Sequence, residues 1–344
     1  MLKLLYGRLV KQLKACFSEG LMYFKHVLNV KENCEMNIVF MGSAEFGIPA
    51  LEKLCGSGHK IVGIVSTPSR QKGRGLMHDD SPIVHYAQKK NLRWPILLPE
   101  VLKSEEFIYT LKKLEADVFV VVAFRILPEA VFKLPRLGTV NIHASLLPKY
   151  RGPAPIQRAI AAGEKETGIT IFRIDEGIDT GNVILRRSVF IGGEETTPRL
   201  YDRLARLGAE NLIEALSILE KGAALSEQDT SQASGAPKLT KAEGKINWDR
   251  PARELFNMVR AFKPFPGAYA FLNGSRLNIE WALPLDVSGS DVPGAICYVS
   301  ADGFDVQCLN SRLRIIDVKP QGKKAMSAKA FMLGRKITTG MRFQ

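Results

Sequence analysis

No stretch of this 344-residue chain is apolar for long enough to cross a bilayer: the longest run, residues 118–124, falls far short of the ~20 residues a spanning helix needs. Cysteine is sparse too. Cys16, Cys34, Cys55, Cys297 and Cys308 are odd in number, scattered and without a Cys-x-x-Cys pair, which argues against a disulfide framework and a zinc site. That usage fits a reducing, cytoplasmic setting, and the lack of a spanning run leaves no membrane as partner. A Gly-x-Gly-x-x-Gly loop is also missing, and the expected second strand ends at Val65-Ser66-Thr67 with no acid to hold a ribose hydroxyl. A nicotinamide dehydrogenase therefore lacks both of its usual marks. No internal repeat is visible.

Acid is in short supply. Lys and Arg number 48 against 35 Asp and Glu, a net charge of +13. Such an excess attracts polyanions through counterion release, so nucleic acid is a partner to consider, with a solvated basic surface as the plain alternative. The 46% hydrophobic and 24% charged residues are ordinary for a globular protein, and the length suggests two domains.

Residues 1–35 stand apart, with six Lys or Arg against three Glu. Leu4, Leu5, Leu9 and Leu13 have roughly helical spacing. We read an extension that activity does not need; were it a transit peptide, the location would become an organelle. Met36-Asn37-Ile38-Val39-Phe40-Met41-Gly42 reads as the first strand of the folded part.

From there short β-branched runs alternate with helical patterns, as in a Rossmann-like, mostly parallel sheet with helices on both faces. Strands are expected at 37–41, 60–66, 116–123, 139–144 and 167–174, and helices near 48–57, 83–90, 104–114 and 154–162. A long helix over 198–221 has Thr197 as its expected cap, Pro198 in its first turn and Gly222 at its end. Its inner side carries Leu200, Leu204, Leu207, Leu212, Leu216 and Leu219. Residues 36–222 would form this α/β domain, and the polar stretch within 223–240 reads as a linker. Residues 241–344 contain a helix near 252–261 and short runs punctuated by Asn273-Gly274, Asp302-Gly303 and Gln321-Gly322, which suggest a smaller C-terminal β-barrel of oligonucleotide-binding (OB) type.

The glycine loop Gly42-Ser43-Ala44-Glu45-Phe46-Gly47 lies between a strand and a helix as in nucleotide-binding units, but reads better as a plain strand-to-helix turn. The run Thr139-Val140-Asn141-Ile142-His143-Ala144-Ser145-Leu146-Leu147-Pro148 says more. Alternation puts Asn141 and His143 on one face at the carboxyl end of a strand, where ligands bind in open α/β sheets. An amide donor beside an imidazole suits attack on a carbonyl, although a lone strand-end histidine is more often structural. In the loop Asp175-Glu176-Gly177-Ile178-Asp179-Thr180-Gly181, Asp179 is placed to orient His143 or serves as an ordinary turn aspartate. Asp-Thr-Gly also marks aspartic proteases, but no second copy occurs and the surrounding α/β pattern is wrong.

Asn141-Ile142-His143, Ser145-Leu146-Leu147-Pro148, Tyr150-Arg151-Gly152 and Gly177-Ile178-Asp179-Thr180-Gly181, with the His143 to Asp179 spacing, together resemble the folate-dependent formyltransferases. The likeness spans 36–331. The run at 149–157, Gly73-Arg74-Gly75 and the run at 319–326 point to the branch whose acceptor is initiator methionyl-tRNA. The resemblance implies 10-formyltetrahydrofolate as co-substrate, no metal, and Asn141, His143 and Asp179 as the catalytic residues. It places folate against Ser145, Leu146, Leu147 and Pro148, and tRNA against Arg74 and Lys72 on a basic strap, with Lys241, Lys263, Lys323 and Lys324 extending the track. A monomer is expected.

Two segments depart from the family pattern: Ala123-Phe124-Arg125-Ile126-Leu127-Pro128 is one residue short, and the strap runs on as Met77-His78-Asp79-Asp80 in place of lysines. A relative acting on a small amine, a folate- or RNA-binding protein without turnover, and a nucleotide-dependent oxidoreductase are the competing readings.

Overall fold

The computed structural model describes residues 35–72 and 77–344; the expectations for the amino-terminal extension and for Arg74 lie outside them. The first half alternates strand and helix. Strands β1 (Asn37–Gly42), β2 (Lys60–Val65), β3 (Arg70–Lys72), β4 (Met77–Asp79), β5 (Ile96–Leu97), β6 (Val118–Val122), β7 (Thr139–His143), β8 (Glu166–Arg173) and β9 (Val183–Phe190) are joined by six helices. These are α1 (Ile48–Cys55), α2 (Pro82–Lys89), α3 (Glu105–Lys113), α4 (Glu129–Phe132), α5 (Pro155–Ala161) and α6 (Thr197–Glu220). Seven strands form one sheet in the order β5-β2-β1-β6-β7-β8-β9. The first five are parallel, whereas β8 and β9 each run antiparallel to their predecessor. Strand order reverses between β1 and β6, which opens a crevice at their carboxyl ends.

Two apolar layers sandwich the sheet. Ile38, Phe40, Val120 and Ile142 pack beneath α1 and α6, while Val39, Met41, Phe119 and Val121 meet Phe107 and Leu111 of α3. Helix α6 buries Leu200, Leu204, Leu212, Leu216 and Leu219 as its spacing predicts, with Leu207 only partly covered. Its cap is Thr196. The Thr197 hydroxyl instead donates to the Ala261 carbonyl at 2.6 Å, because the partner helix of the second domain ends there. Gly208 allows the close approach of α6 to β7: a Cβ there would lie 2.6 Å from Ile142 Cγ2. The helix thus backs the strand that carries Asn141 and His143.

Strands β5 and β9, helix α4 and the short β3–β4 hairpin were not expected from the sequence. β9 carries the adjacent pair Arg186-Arg187 and Ser188 between its apolar ends, on an exposed edge, and lacks the unbroken apolar run of a central strand. The hairpin sits where the basic strap was read, and Lys72 lies on it.

In the second half, α7 (Ala252–Ala261) packs on strands β10 (Ala268–Leu272), β11 (Ser275–Leu285), β12 (Ile296–Val299), β13 (Phe304–Gln307), β14 (Arg312–Pro320) and β15 (Met326–Ser327), which precede α8 (Ala328–Gly334). The sheet is antiparallel in the order β10-β11-β14-β13-β12. Asn273 and Gly274, at φ 49° and 72°, make the tight β10–β11 turn that the Asn-Gly pair predicts. The carboxyl-terminal residues close the barrel by bridging its two edges, with Phe343 beside Leu272 and Arg342 beside Ala295.

The halves are joined firmly. Arg260 of α7, 4% exposed, donates to the carbonyls of Gly192 and Glu195 at 3.2 and 2.9 Å. Residues 226–236, within the segment read as a linker, make backbone bonds to β9 at Val183 and to the corner at Arg151.

Candidate active site

Thr139, Asn141 and His143 alternate onto one face of β7, with His143 at its carboxyl end. His143 is buried. Its Nε2 lies 2.9 Å from the Tyr150 carbonyl, and its Nδ1 lies 3.5 Å from Asp179 Oδ2. Asp179 is held by a second contact, accepting from the Gly152 N–H at 2.7 Å. The Asn141 amide has no side-chain partner among the described residues and is partly exposed.

The turn after β7 brings these groups together. The Ser145 hydroxyl donates to the Lys149 carbonyl at 2.6 Å, and the Thr170 hydroxyl bridges the Ser145 carbonyl and the Leu147 N–H. Ser145 and Leu147 are consequently turned into the protein, and of the four residues expected at folate only Leu146 and Pro148 keep partly open surface. Tyr150 and Gly152 then take left-handed backbone angles, φ 61° and 117°. This corner points the Tyr150 carbonyl at His143 and the Gly152 N–H at Asp179. The Tyr150 phenol donates to Glu164 at 2.8 Å, and burial together with that carboxylate pushes its pKa well above the ordinary phenol value. Asp179 is itself left-handed at φ 55°, an uncommon state for a residue with a side chain.

A cavity of about 670 Å³ is lined by Thr139, which alternates onto the same face of β7 as Asn141, and lies between residues 132–139 and the 173–177 part of the Asp179 loop. Phe132, Leu134, Pro135 and Ile174 give it apolar walls, with Arg136 and Arg173 at its rim. A second opening of about 530 Å³ lies at the crevice between β1 and β6, lined by Ser43, Thr67, Pro68, Ser81, Ala123 and Phe124. The Arg125 departure has a structural outcome here: its guanidinium donates to the carbonyls of Pro99 and Glu100, tying the 123–128 turn to its neighbour.

The expected basic track is spread over several places. Lys241 is exposed, and Lys263 is half-buried with its ammonium over the Trp281 ring. Lys323 and Lys324 share the exposed turn after β14, where Lys323 lines a 240 Å³ hollow with Arg276 and Arg335. Those two arginines, like Gln228 and Ser234 near Asp179 and Tyr150, carry no motif that marks them in the sequence.

A doubly wound sheet presenting an imidazole, a carboxylate and a free amide at its carboxyl edge, followed by a small barrel, defines a class of two-domain α/β proteins. Comparison with known proteins narrows it. Residues 36–216 match the formyl transferase family model and residues 238–336 match that of the formyl transferase C-terminal domain. The methionyl-tRNA formyltransferase of Caldanaerobacter subterraneus subsp. tengcongensis is 41% identical over 308 residues, 89% of this chain and 99% of that protein. That of Methylococcus capsulatus is 45% identical over 299 residues, 86% and 96% of the two chains. Among solved structures, an N-formyltransferase from Helicobacter canadensis in complex with folinic acid and dTDP-3-aminofucose gives a TM-score of 0.62 at 21% identity, over 81% of this chain and 98% of that one. HypX from Aquifex aeolicus in complex with tetrahydrofolic acid gives 0.57 at 17% identity, over 89% and 51%. These two share the fold. The chain belongs to the formyl transferase family.

Proposed function

We propose that the chain transfers the formyl group of 10-formyltetrahydrofolate to the amino group of methionine on initiator methionyl-tRNA, in the cytoplasm, for translation initiation. The observation that carries this reading is the buried His143, gripped between the Tyr150 carbonyl and Asp179 beside the free Asn141 amide.

The neutral amine attacks the formyl carbon, and a C–N bond forms as the carbonyl π electrons move to oxygen. Asn141 donates to that oxyanion and the His143 cation stabilises it by charge. Asp179 supports the cation and passes the amine's proton, through water, toward the departing nitrogen of the folate. Collapse of the tetrahedral intermediate breaks the old C–N bond and releases tetrahydrofolate with that proton. The 670 Å³ cavity shares the Asn141 face and suits a flat bicyclic ring, with Leu146 and Pro148 left to contact the rest of the donor.

The acceptor follows from two supports. Relatives named methionyl-tRNA formyltransferase align over both domains, and the chain's +13 charge suits a polyanion. The alternative is a small amine, which the aminosugar-nucleotide complex of the Helicobacter canadensis protein brings forward; it leaves the basic barrel without a use. Incubation with 10-formyltetrahydrofolate and methionyl-tRNA should yield formylmethionine. No product, together with no tRNA binding at low salt, would send the reading to the small-amine alternative.

A further inference from the structure

Gln228 lies in the segment between the two domains, 9% exposed, and the reaction above gives it no part. Its carboxamide is nonetheless fully engaged. Oε1 accepts from Arg151 Nε and Nη2 at 3.2 and 2.7 Å, while Nε2 donates to the carbonyls of Asp179 and Gly181 at 3.0 and 2.8 Å. A guanidinium can only donate and a carbonyl can only accept, so the group between them must do both. Glutamate lacks the donor and lysine lacks the acceptor. A primary amide has the required chemistry, and glutamine supplies it at this reach.

The two ends of that amide touch the two walls of the site. Arg151 sits between Tyr150, whose carbonyl meets His143, and Gly152, whose N–H meets Asp179. The carbonyls at 179 and 181 flank the left-handed backbone that aims the Asp179 carboxylate. A non-glycine residue in that conformation costs ~1 kcal/mol or more and persists only where neighbours over-determine it. The same segment braces the first wall again: Ser234 accepts from the Tyr150 N–H at 2.9 Å, and Ala236 donates to the Arg151 carbonyl at 2.6 Å.

We propose that Gln228 is a positioning residue: its amide locks the Asp179 loop to the Tyr150–Gly152 corner and so sets the His143–Asp179 geometry from the segment that joins the domains. The inference rests on the formyl-transfer reading only for its kinetic consequence.

The test uses the full chain with Gln228→Glu, which keeps the oxygen facing Arg151 and removes both donors, and with Gln228→Met, which removes all four bonds. With 10-formyltetrahydrofolate and methionyl-tRNA, kcat should fall roughly 10- to 100-fold, as expected when a catalytic pair is held out of alignment, with KM for either substrate changed less than about threefold. In an Asp179→Asn background the Gln228→Glu change should cost less than about twofold, because groups acting as one unit are not additive. Hydrogen exchange, which needs no turnover, should quicken in peptides covering 150–154 and 174–182 and stay unchanged across the barrel. Unaltered exchange in those peptides, or a full loss of kcat that persists beside Asp179→Asn, would overturn the proposal. Faster exchange with an inactive wild-type protein would instead sink the formyl-transfer reading and leave the lock standing. Should Gln228→Glu not fold, Gln228→Met carries the same expectations.

Discussion

Asp179 holds His143 from a strained position: its Oδ2 lies 3.5 Å from His143 Nδ1 where the loop turns left-handed and the Gly152 N–H donates to the same oxygen. The carboxylate is therefore fixed by main-chain geometry, and the imidazole is fixed in turn by the carboxylate and the Tyr150 carbonyl. This separates orientation from chemistry, because an asparagine at 179 can still accept from Gly152 while losing the negative charge beside the ring.

His143→Ala and Asp179→Asn should accordingly fold, with melting temperatures near that of the wild type, and lose most turnover. A loss of roughly 10²- to 10⁴-fold in kcat is expected for His143→Ala, the range for a group that stabilises charge or moves a proton in the transition state. Single-turnover formylation under saturating substrates reads it directly. Near wild-type kcat in either variant would remove that residue from the mechanism.

Gly152 tests the corner independently. Its φ of 117° is open to glycine and strained for any other residue, and a Cβ would stand 2.9 Å from the Ala236 carbonyl. Gly152→Ala should destabilise the protein by ~1–3 kcal/mol and lower kcat together, since the N–H that orients Asp179 moves with the strain. Denaturant unfolding beside a rate measurement checks both; a stable variant with low kcat would place the effect in the site alone.

These relationships mark how far the sequence reaches. The parallel sheet, the long α6 and the Asn273-Gly274 hairpin were legible because periodicity and turn chemistry are local. The alternation placing Asn141 and His143 on one face was legible for the same reason. Gln228 was not: a glutamine in a polar stretch looks like linker until the fold brings Arg151 and two carbonyls around it. Nor could residue type alone show that Ser145 turns inward, for its bond to Lys149 depends on the shape of the turn. The edge strand β9, with Arg186, Arg187 and Ser188 at its centre, lacked the apolar density that gives central strands away.

Acid should weaken the link between α5 and the segment before α7. Arg158 donates to Glu243 at 2.7 Å and, with Thr240, holds the Glu243 carboxyl below its ordinary pKa of 4.5. A folded-state pKa below the unfolded one means stability that is complete above the unfolded value and fades as pH falls through the folded one. Glu243→Gln should cost at most about 1 kcal/mol at pH 7, since the carboxylate is a third exposed and screened by salt. The gap between variant and wild type should narrow as pH falls below 4.5. A gap that is constant with pH would assign the effect to packing.

The basic turn after β14 makes a separate prediction about the acceptor. Lys323→Glu with Lys324→Glu should weaken tRNA binding and flatten its salt dependence, leaving donor binding unchanged, because each neutralised phosphate contributes to the slope of log K against log salt. Arg276→Ala should add to the loss if the hollow it shares with Lys323 receives a phosphate. Fluorescence titrations with tRNA at several salt concentrations read the slope; an unchanged slope would move the RNA contact off the barrel.

Arg260 tests whether the two halves unfold as one. Its guanidinium sits 4% exposed at the end of α7, donating to Asn257 Oδ1 at 3.0 Å and across the junction to the Gly192 and Glu195 carbonyls. Burial lowers its pKa from the ordinary arginine value, which measures the cost of keeping that charge from water, yet three acceptors around it hold the charge in place. Replacement by methionine keeps much of the volume and strands those acceptors, so a loss of ~2–4 kcal/mol is expected. The loss should show as a split transition, the barrel melting apart from the sheet domain, because two of the bonds removed cross between them. Calorimetry distinguishes the outcomes: a single transition at an unshifted temperature would mean that the Thr197–Ala261 bond and the helix packing hold the junction without Arg260.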